Sequence, residues 1–254
     1  MPINFFLPLI IILALYFAGA VALVQIKEDT SIANSSWTGG CLIVALYTLM
    51  RTDLYLARQL IVTLMIAIWA LRLMMYVYLR YRGNDPRFLS WQQKGFKALA
   101  FNLIYIFGGQ LFLTAVMSVP AIIINTSIVP GLNPLDFLGI GIWLIGYFFE
   151  SVSDYELYVF MKNPTNKGHL LRTGLWRYSR HPNYFGEVTM WWGIFLMTLS
   201  VPHGVYAIIA PATITTMLLF VTGVPWVEAA LAKNPEFADY KRKTSIFIPW
   251  WPKA

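Results

Sequence analysis

Residues 134–161 read Pro-Leu-Asp-Phe-Leu-Gly-Ile-Gly-Ile-Trp-Leu-Ile-Gly-Tyr-Phe-Phe-Glu-Ser-Val-Ser-Asp-Tyr-Glu-Leu-Tyr-Val-Phe-Met. A helix needs roughly 20 apolar residues to cross a hydrocarbon core about 30 Å thick, and this run supplies them. It therefore predicts a membrane-spanning helix, with one anomaly. Glu150 and Asp154 lie four residues apart, on one face, near its end. Carboxylates at membrane depth are costly and mark function by default. The plain alternative is solvation at the interface. The same face continues through Tyr158 toward Lys162, so acid and base line one groove.

The rest of the chain has the same character. Of its 254 residues 58% are apolar and 12% charged, against about 25% charged in a soluble domain. Mean hydropathy is +0.60. These values exclude a soluble globular enzyme and also disorder, which needs low hydrophobicity and high charge. The single cysteine, Cys41, excludes intramolecular disulfides and Cys-based metal sites. The N-terminus has no basic n-region, so a cleavable signal peptide is not expected. Further spans are expected near 5–25, 38–50, 54–79, 97–119, 184–201 and 204–225. Residues 120–134, interrupted by Pro120, Pro130, Gly131 and Pro134, read as a re-entrant or interfacial loop. The expected fold is an all-α, polytopic integral membrane bundle of about seven transmembrane helices.

Charge sets the expected orientation. Arg80, Arg82, Arg87, Lys94 and Lys97 follow the third span. Lys162, Lys167, Arg172, Arg177 and Arg180 follow the fifth. Lys233, Lys241, Arg242, Lys243 and Lys253 occupy the tail. These are fifteen of the 19 Lys/Arg, in a chain of net charge +7. With alternating spans they share one side, which places the N-terminus outside and the C-terminus in the cytosol. Such an excess points to cytoplasmic loops and anionic membrane lipids, not to nucleic acid. The chain reads as a single membrane domain, 1–254, with largely apolar helices over 1–133 and the polar chemistry over 134–254.

The most polar stretch runs from Asn166 to Glu187 and leads directly into a span. Arg172, Arg177, Arg180 and His181 cluster just before Pro182, which is well placed to open a helix. A basic cluster at a helix N-terminus suits phosphate. Asn183 and Glu187 then share a helix face one turn apart. Headgroup anchoring accounts for the arginines but not for that pair. In the tail, Glu228 follows Pro225, and Lys241–Lys243 suit either headgroups or phosphate. The run Gly139–Gly146 is a close helix-packing surface, because no strand precedes it to make a dinucleotide loop. His169, His181 and His203 lack metal-ligand spacing, and P-loop and hydrolase motifs are absent.

The stretch Leu171-Arg-Thr-Gly-Leu-Trp-Arg-Tyr-Ser-Arg-His-Pro-Asn-Tyr-Phe-Gly-Glu187 resembles the C-terminal domain of the steroid 5-alpha-reductase superfamily. It is closest to the bacterial DUF1295 group and is also similar to sterol C14/C7-reductases and the lamin B receptor. Phe160-Met-Lys-Asn-Pro164 and Tyr240…Pro249 look like the shared flanking segments, and the likeness covers roughly 134–254. It implies an integral, multi-pass protein of a bacterial inner membrane that uses NADPH to pass a hydride to an activated C=C bond of a steroid-like or other lipid substrate. It further implies that 134–254 is the cofactor-binding half and 1–133 the substrate and scaffold half.

By the resemblance, Asn183 and Glu187 hold the nicotinamide carboxamide, and Glu150 and Asp154 contact the cofactor from the fifth span. Lys162, Arg172 and Arg180 serve the ribose phosphate and pyrophosphate. Tyr178, His181 and Tyr184 line the pocket, and Glu228 and Tyr240 close it. Tyr76 and Tyr178 are candidate catalytic groups. Arg72-Leu-Met-Met-Tyr76 and Arg82-Gly83 are similar to the third helix of the reductases, but their Gln-Glu pair on the second helix is absent, and Trp69 stands where they place a ketone-facing Tyr. Isoprenylcysteine and phospholipid methyltransferases share Arg-His-Pro-x-Tyr-x-Gly and use S-adenosylmethionine, so they are the rival. Glu187 directly after Gly186, and Glu228 without an acidic neighbour, favour the reductase. A non-enzymatic lipid-binding protein is a third class, which the intact polar set disfavours.

Overall fold

A computed structural model describes residues 3–27, 31–81, 100 and 103–253. The expected basic loop with Arg82, Arg87, Lys94 and Lys97, and the Arg82-Gly83 likeness, lie outside the described residues. The α-helices are α1 Ile3–Lys27, α2 Ser31–Met50, α3 Ala57–Tyr81, α4 Leu111–Met117, α5 Val119–Asn125, α6 Pro134–Lys162, α7 Pro182–Thr198, α8 Ile209–Thr216, α9 Val224–Leu231 and α10 Phe237–Lys243. A π-helical turn, Leu103–Gln110, precedes α4. Among the described residues the fold is all-α, with one isolated bridge between Ser179 and Ser245.

Among the described residues, four helical runs are long and apolar enough to cross a membrane: Asn4–Lys27, Ala57–Leu79, Pro134–Lys162 and Gly204–Leu231. A fifth arises if Gly108–Met117 and Val119–Asn125, bent by 40°, form one broken span. The chain is thus a helical membrane protein, with four to five such candidate spans among the described residues. Of the two further spans that make about seven, 184–201 is the 17-residue α7 and 38–50 lies in the apolar part of α2, Ser35–Met50. Both are shorter than the roughly 20 residues a crossing requires.

The chain forms two compact units, one of Met1–Leu132 with Val201–His203, the other of Asn133–Ser200 with Gly204–Ala254. In the first, α1 buries Leu9, Leu13, Phe17, Ala20 and Val24. These residues recur every three or four positions and so form one stripe. Hydroxyls tie α1 to α2 as a hairpin: Tyr16 donates to Ser36 O at 3.0 Å and Tyr47 to Phe5 O at 2.7 Å.

Within the expected loop 120–134, residues 120–125 are helical and the rest up to 133 is irregular. Pro120 lies in the first turn of α5, directly after the 40° bend that separates α4 from α5. Buried Asn125 donates to Ala45 O, Thr48 Oγ1 and Thr63 Oγ1 at 2.9–3.2 Å. The irregular part is confined to residues after α5. There Gln59 Nε2 donates to Ser127 O, and Arg58 donates to Val129 O and Gly131 O. Side chains thereby satisfy carbonyls that lipid cannot.

The second unit is built on α6 and α7. A reciprocal capping box opens α6: Asn133 Oδ1 accepts from Leu135 and Asp136 N–H, and Asp136 Oδ2 accepts from Asn133 N–H at 2.7 Å. The two helices then meet backbone to backbone. A Cβ added to Gly139 would lie 2.5 Å from Gly193 O, and one on Gly146 2.6 Å from Gly186 O. Reciprocally, a Cβ on Gly193 would lie 2.6 Å from Gly139 O, and one on Gly186 2.5 Å from Gly146 O. Each pair is seven residues from the next along its own helix, so small residues face small residues every two turns of an antiparallel pair.

Candidate functional site

The glycine contact decides which polar groups meet. Because Gly186 packs against Gly146 and Glu150, the first turn of α7 lies beside the last third of α6. Glu150, Asp154 and Glu187 are only 2%, 3% and 7% exposed. Asn183 Nδ2 donates to Asp154 Oδ1 at 3.3 Å. The buried Asn183 Oδ1 accepts no hydrogen bond among the described residues. Phe149 and Phe185 pack edge to face at 5.1 Å beside them. Four residues expected in one site are therefore carried by two tightly apposed helices. The set offers carboxylates and an amide oxygen, which suit N–H and O–H donors of a ligand.

The expected phosphate ligands are placed differently. Arg180, 5% exposed, donates from Nε to Glu228 Oε1 at 2.7 Å and brings Nη2 to the same oxygen at 2.7 Å. Its Nη1 donates to Lys241 O at 3.1 Å and Thr244 O at 2.5 Å. His181 Nε2 lies 3.5 Å from Glu228 Oε1, and the ring stacks on Tyr184 at 5.3 Å. Burial pushes the His181 imidazole below its usual range, against the opposing pull of Glu228. Lys241 Nζ stands 3.7 Å from Glu228 Oε2.

Residues 244–253 form a strap along 178–181 that folds back on itself, Lys253 N–H donating to Lys243 O at 2.9 Å. Arg180 N–H donates to Ser245 O at 2.8 Å and Trp250 N–H to Tyr178 O at 2.9 Å. Ser179 Oγ donates to Phe247 O at 2.7 Å. Phe247 packs on Phe185, and Tyr178 packs edge-on against Trp251. Buried Tyr240 donates its hydroxyl to Trp176 O at 2.6 Å, and its burial pushes the phenol pKa up.

A second ion-pair group ties the 169–172 loop to α10. Arg172 meets Glu236 Oε2 at 3.2 Å and Asp239 Oδ2 at 3.3 Å, and His169 Nδ1 lies 2.8 Å from Glu236 Oε1. The His169 contact is the main cause that holds the Glu236 carboxyl below its ordinary value. Glu236 and Asp239 were not expected here; the signal for them is two acids at the start of a short helix, opposite a basic loop. Glu156 was missed as well: it accepts from Leu175 N–H at 3.0 Å and, with Trp176 Nε1 donating to Ser153 O, fastens the loop to α6. Exposed Lys162 lies over the Tyr158 ring at 4.4 Å. Tyr76 belongs to α3 in the other unit.

The family model for proteins of unknown function DUF1295 matches residues 20–244. The chain belongs to the DUF1295 family. This DUF1295 protein is also similar to 3-oxo-5-alpha-steroid 4-dehydrogenase 1 from several mammals. It is 29% identical to the Rattus norvegicus protein over 119 residues, covering 46% of this chain and 42% of that one. For Mus musculus the identity is 31% over 119 residues, covering 46% and 43%. For Homo sapiens it is 36% over 76 residues, covering 30% and 29%. The chain thus spans less than half the length of the relatives it matches. No solved structure matches it.

Proposed function

We propose that this DUF1295 protein is a membrane reductase that uses NADPH to saturate an activated C=C bond of a steroid-like or other lipid substrate. The observation that carries the reading is the part-buried Asp154–Asn183 contact beside buried Glu150 and Glu187, in a chain related to 3-oxo-5-alpha-steroid 4-dehydrogenases. The acceptor set fits the nicotinamide half of the cofactor. The carboxamide N–H groups would meet Asn183 Oδ1 and Glu187, and ribose hydroxyls would meet Asp154 and Glu150. Arg180, Arg172 and Lys241 are already engaged by acids, so exposed Lys162 and Arg177 are the better candidates for phosphate.

Bound NADPH supplies the hydride. The chain's part is to hold the ring, exclude water and deliver a proton to the other carbon, for which the Tyr178 hydroxyl is the candidate source within the second unit. The cofactor mouth is proposed to open to the cytosol, an orientation that needs α2 and α7 to cross as well, with substrate entering laterally between helices. Deuterium at the transferring carbon of the nicotinamide tests the reaction. With a 3-oxo steroid carrying a conjugated C=C bond, the reduced product is expected to gain one deuterium. Transfer of label from methyl-labelled S-adenosylmethionine to lipid, with none from NADPH, would contradict the proposal.

A further inference from the structure

A guanidinium has five N–H donors in a rigid fork. In Arg180, Nε and Nη2 both meet Glu228 Oε1, and Nη1 reaches the carbonyls of Lys241 and Thr244. Four of the five donors thus face α9, the end of α10 and the start of the strap. We propose that Arg180 is a positioning residue, latching the strap behind the first turn of α7 so that Asn183 is held toward the cofactor, and that it does not bind the cofactor phosphates.

This rests on the reductase reading. The strap meets α7 through Phe247 on Phe185. Phe185 is two residues from Asn183 and so about 200° round the helix. Phe185 also packs on Phe149 of α6 beside the polar set, so the latch braces the contact of α7 with α6 through a residue next to that set. Ser179 completes the brace, since its hydroxyl donates to Phe247 O and accepts from His181 N–H at 3.1 Å. A basic residue next to a helix N-terminus reads as a phosphate ligand by type. Its bonding here is that of a clamp between three chain segments.

The test compares Arg180→Gln, Glu228→Gln and the double variant in detergent. Each single change is expected to weaken NADPH and NADH binding equally, by about 10-fold for a lost charge-assisted hydrogen bond, and the double to be no worse than either single. Arg180→Lys, which retains the charge opposite Glu228 but not the two carbonyl bonds, should fall between. Loss of NADPH preference with NADH affinity intact would make the guanidinium a phosphate ligand and overturn the latch. Tryptic cleavage after Lys241–Lys243, measured without any cofactor, should accelerate in both single variants. Unchanged cleavage would overturn the latch even where NADPH binds. Absence of NADPH binding to the unaltered protein, with accelerated cleavage in the variants, would remove the reductase reading and leave the strap clamp standing.

Discussion

Replacing Gly146 or Gly186 by Val should leave the protein unable to assemble its second unit, whereas Gly141→Ala should be neutral or mildly stabilising. A Cβ at Gly146 meets Gly186 O at 2.6 Å and Met190 N at 2.7 Å, and one at Gly186 meets Gly146 O at 2.5 Å. These are backbone atoms of a facing helix, which cannot rotate aside. Helix propensity favours replacing an interior glycine with alanine by up to about 1 kcal/mol. Overpacking a tight contact costs about 1–3 kcal/mol for small insertions, and a branched side chain adds more. At 146 and 186 the clash wins. At Gly141 a Cβ meets nothing within 4 Å, so propensity alone acts. Apparent melting temperatures of the purified variants in detergent check this. Equal melting at all three positions would show that α6 and α7 do not meet at these glycines.

Glu187→Gln should weaken NADPH binding by about 10- to 150-fold while the fold survives. Glu187 is buried one turn along α7 from Asn183. A charge-assisted hydrogen bond is worth about 1.5–3 kcal/mol, and each 1.4 kcal/mol is tenfold in affinity. Gln keeps the volume and can still accept through its amide oxygen, so packing is retained and the charge is lost. Calorimetric titration gives the affinity and a thermal melt gives the stability. Unaltered NADPH affinity with a lowered melting temperature would make Glu187 a packing residue, and would remove the feature that separates the reductase from the methyltransferase.

Composition and hydropathy made the helical membrane class legible, because no soluble surface can be built from this sequence. The Gly139–Gly146 surface was legible as packing; its complement Gly186 and Gly193 repeats the same seven-residue spacing, but register between two helices is a tertiary fact. The interruption at Pro120 was legible, but the helix that resumes there was not, because proline both breaks a helix interior and opens a first turn, and the distinction depends on where the helix begins. The neighbourhood of Asp154 and Asn183 followed from the motif. The partners of Arg180 did not, because two are backbone carbonyls more than 60 residues away in sequence, whose position depends on how the tail returns. A basic cluster reads alike whether its charges meet phosphates or the chain's own acids. Arg172 illustrates this, since its partners Glu236 and Asp239 carry no motif.

The most direct test of the central claim, that the α6–α7 polar set is a nicotinamide site, is parallel calorimetric titration of the detergent-purified protein with NADPH and with S-adenosylmethionine. The account predicts saturable binding and thermal stabilisation by NADPH, reduced in Glu187→Gln, with no response to S-adenosylmethionine. Binding of S-adenosylmethionine alone would contradict it.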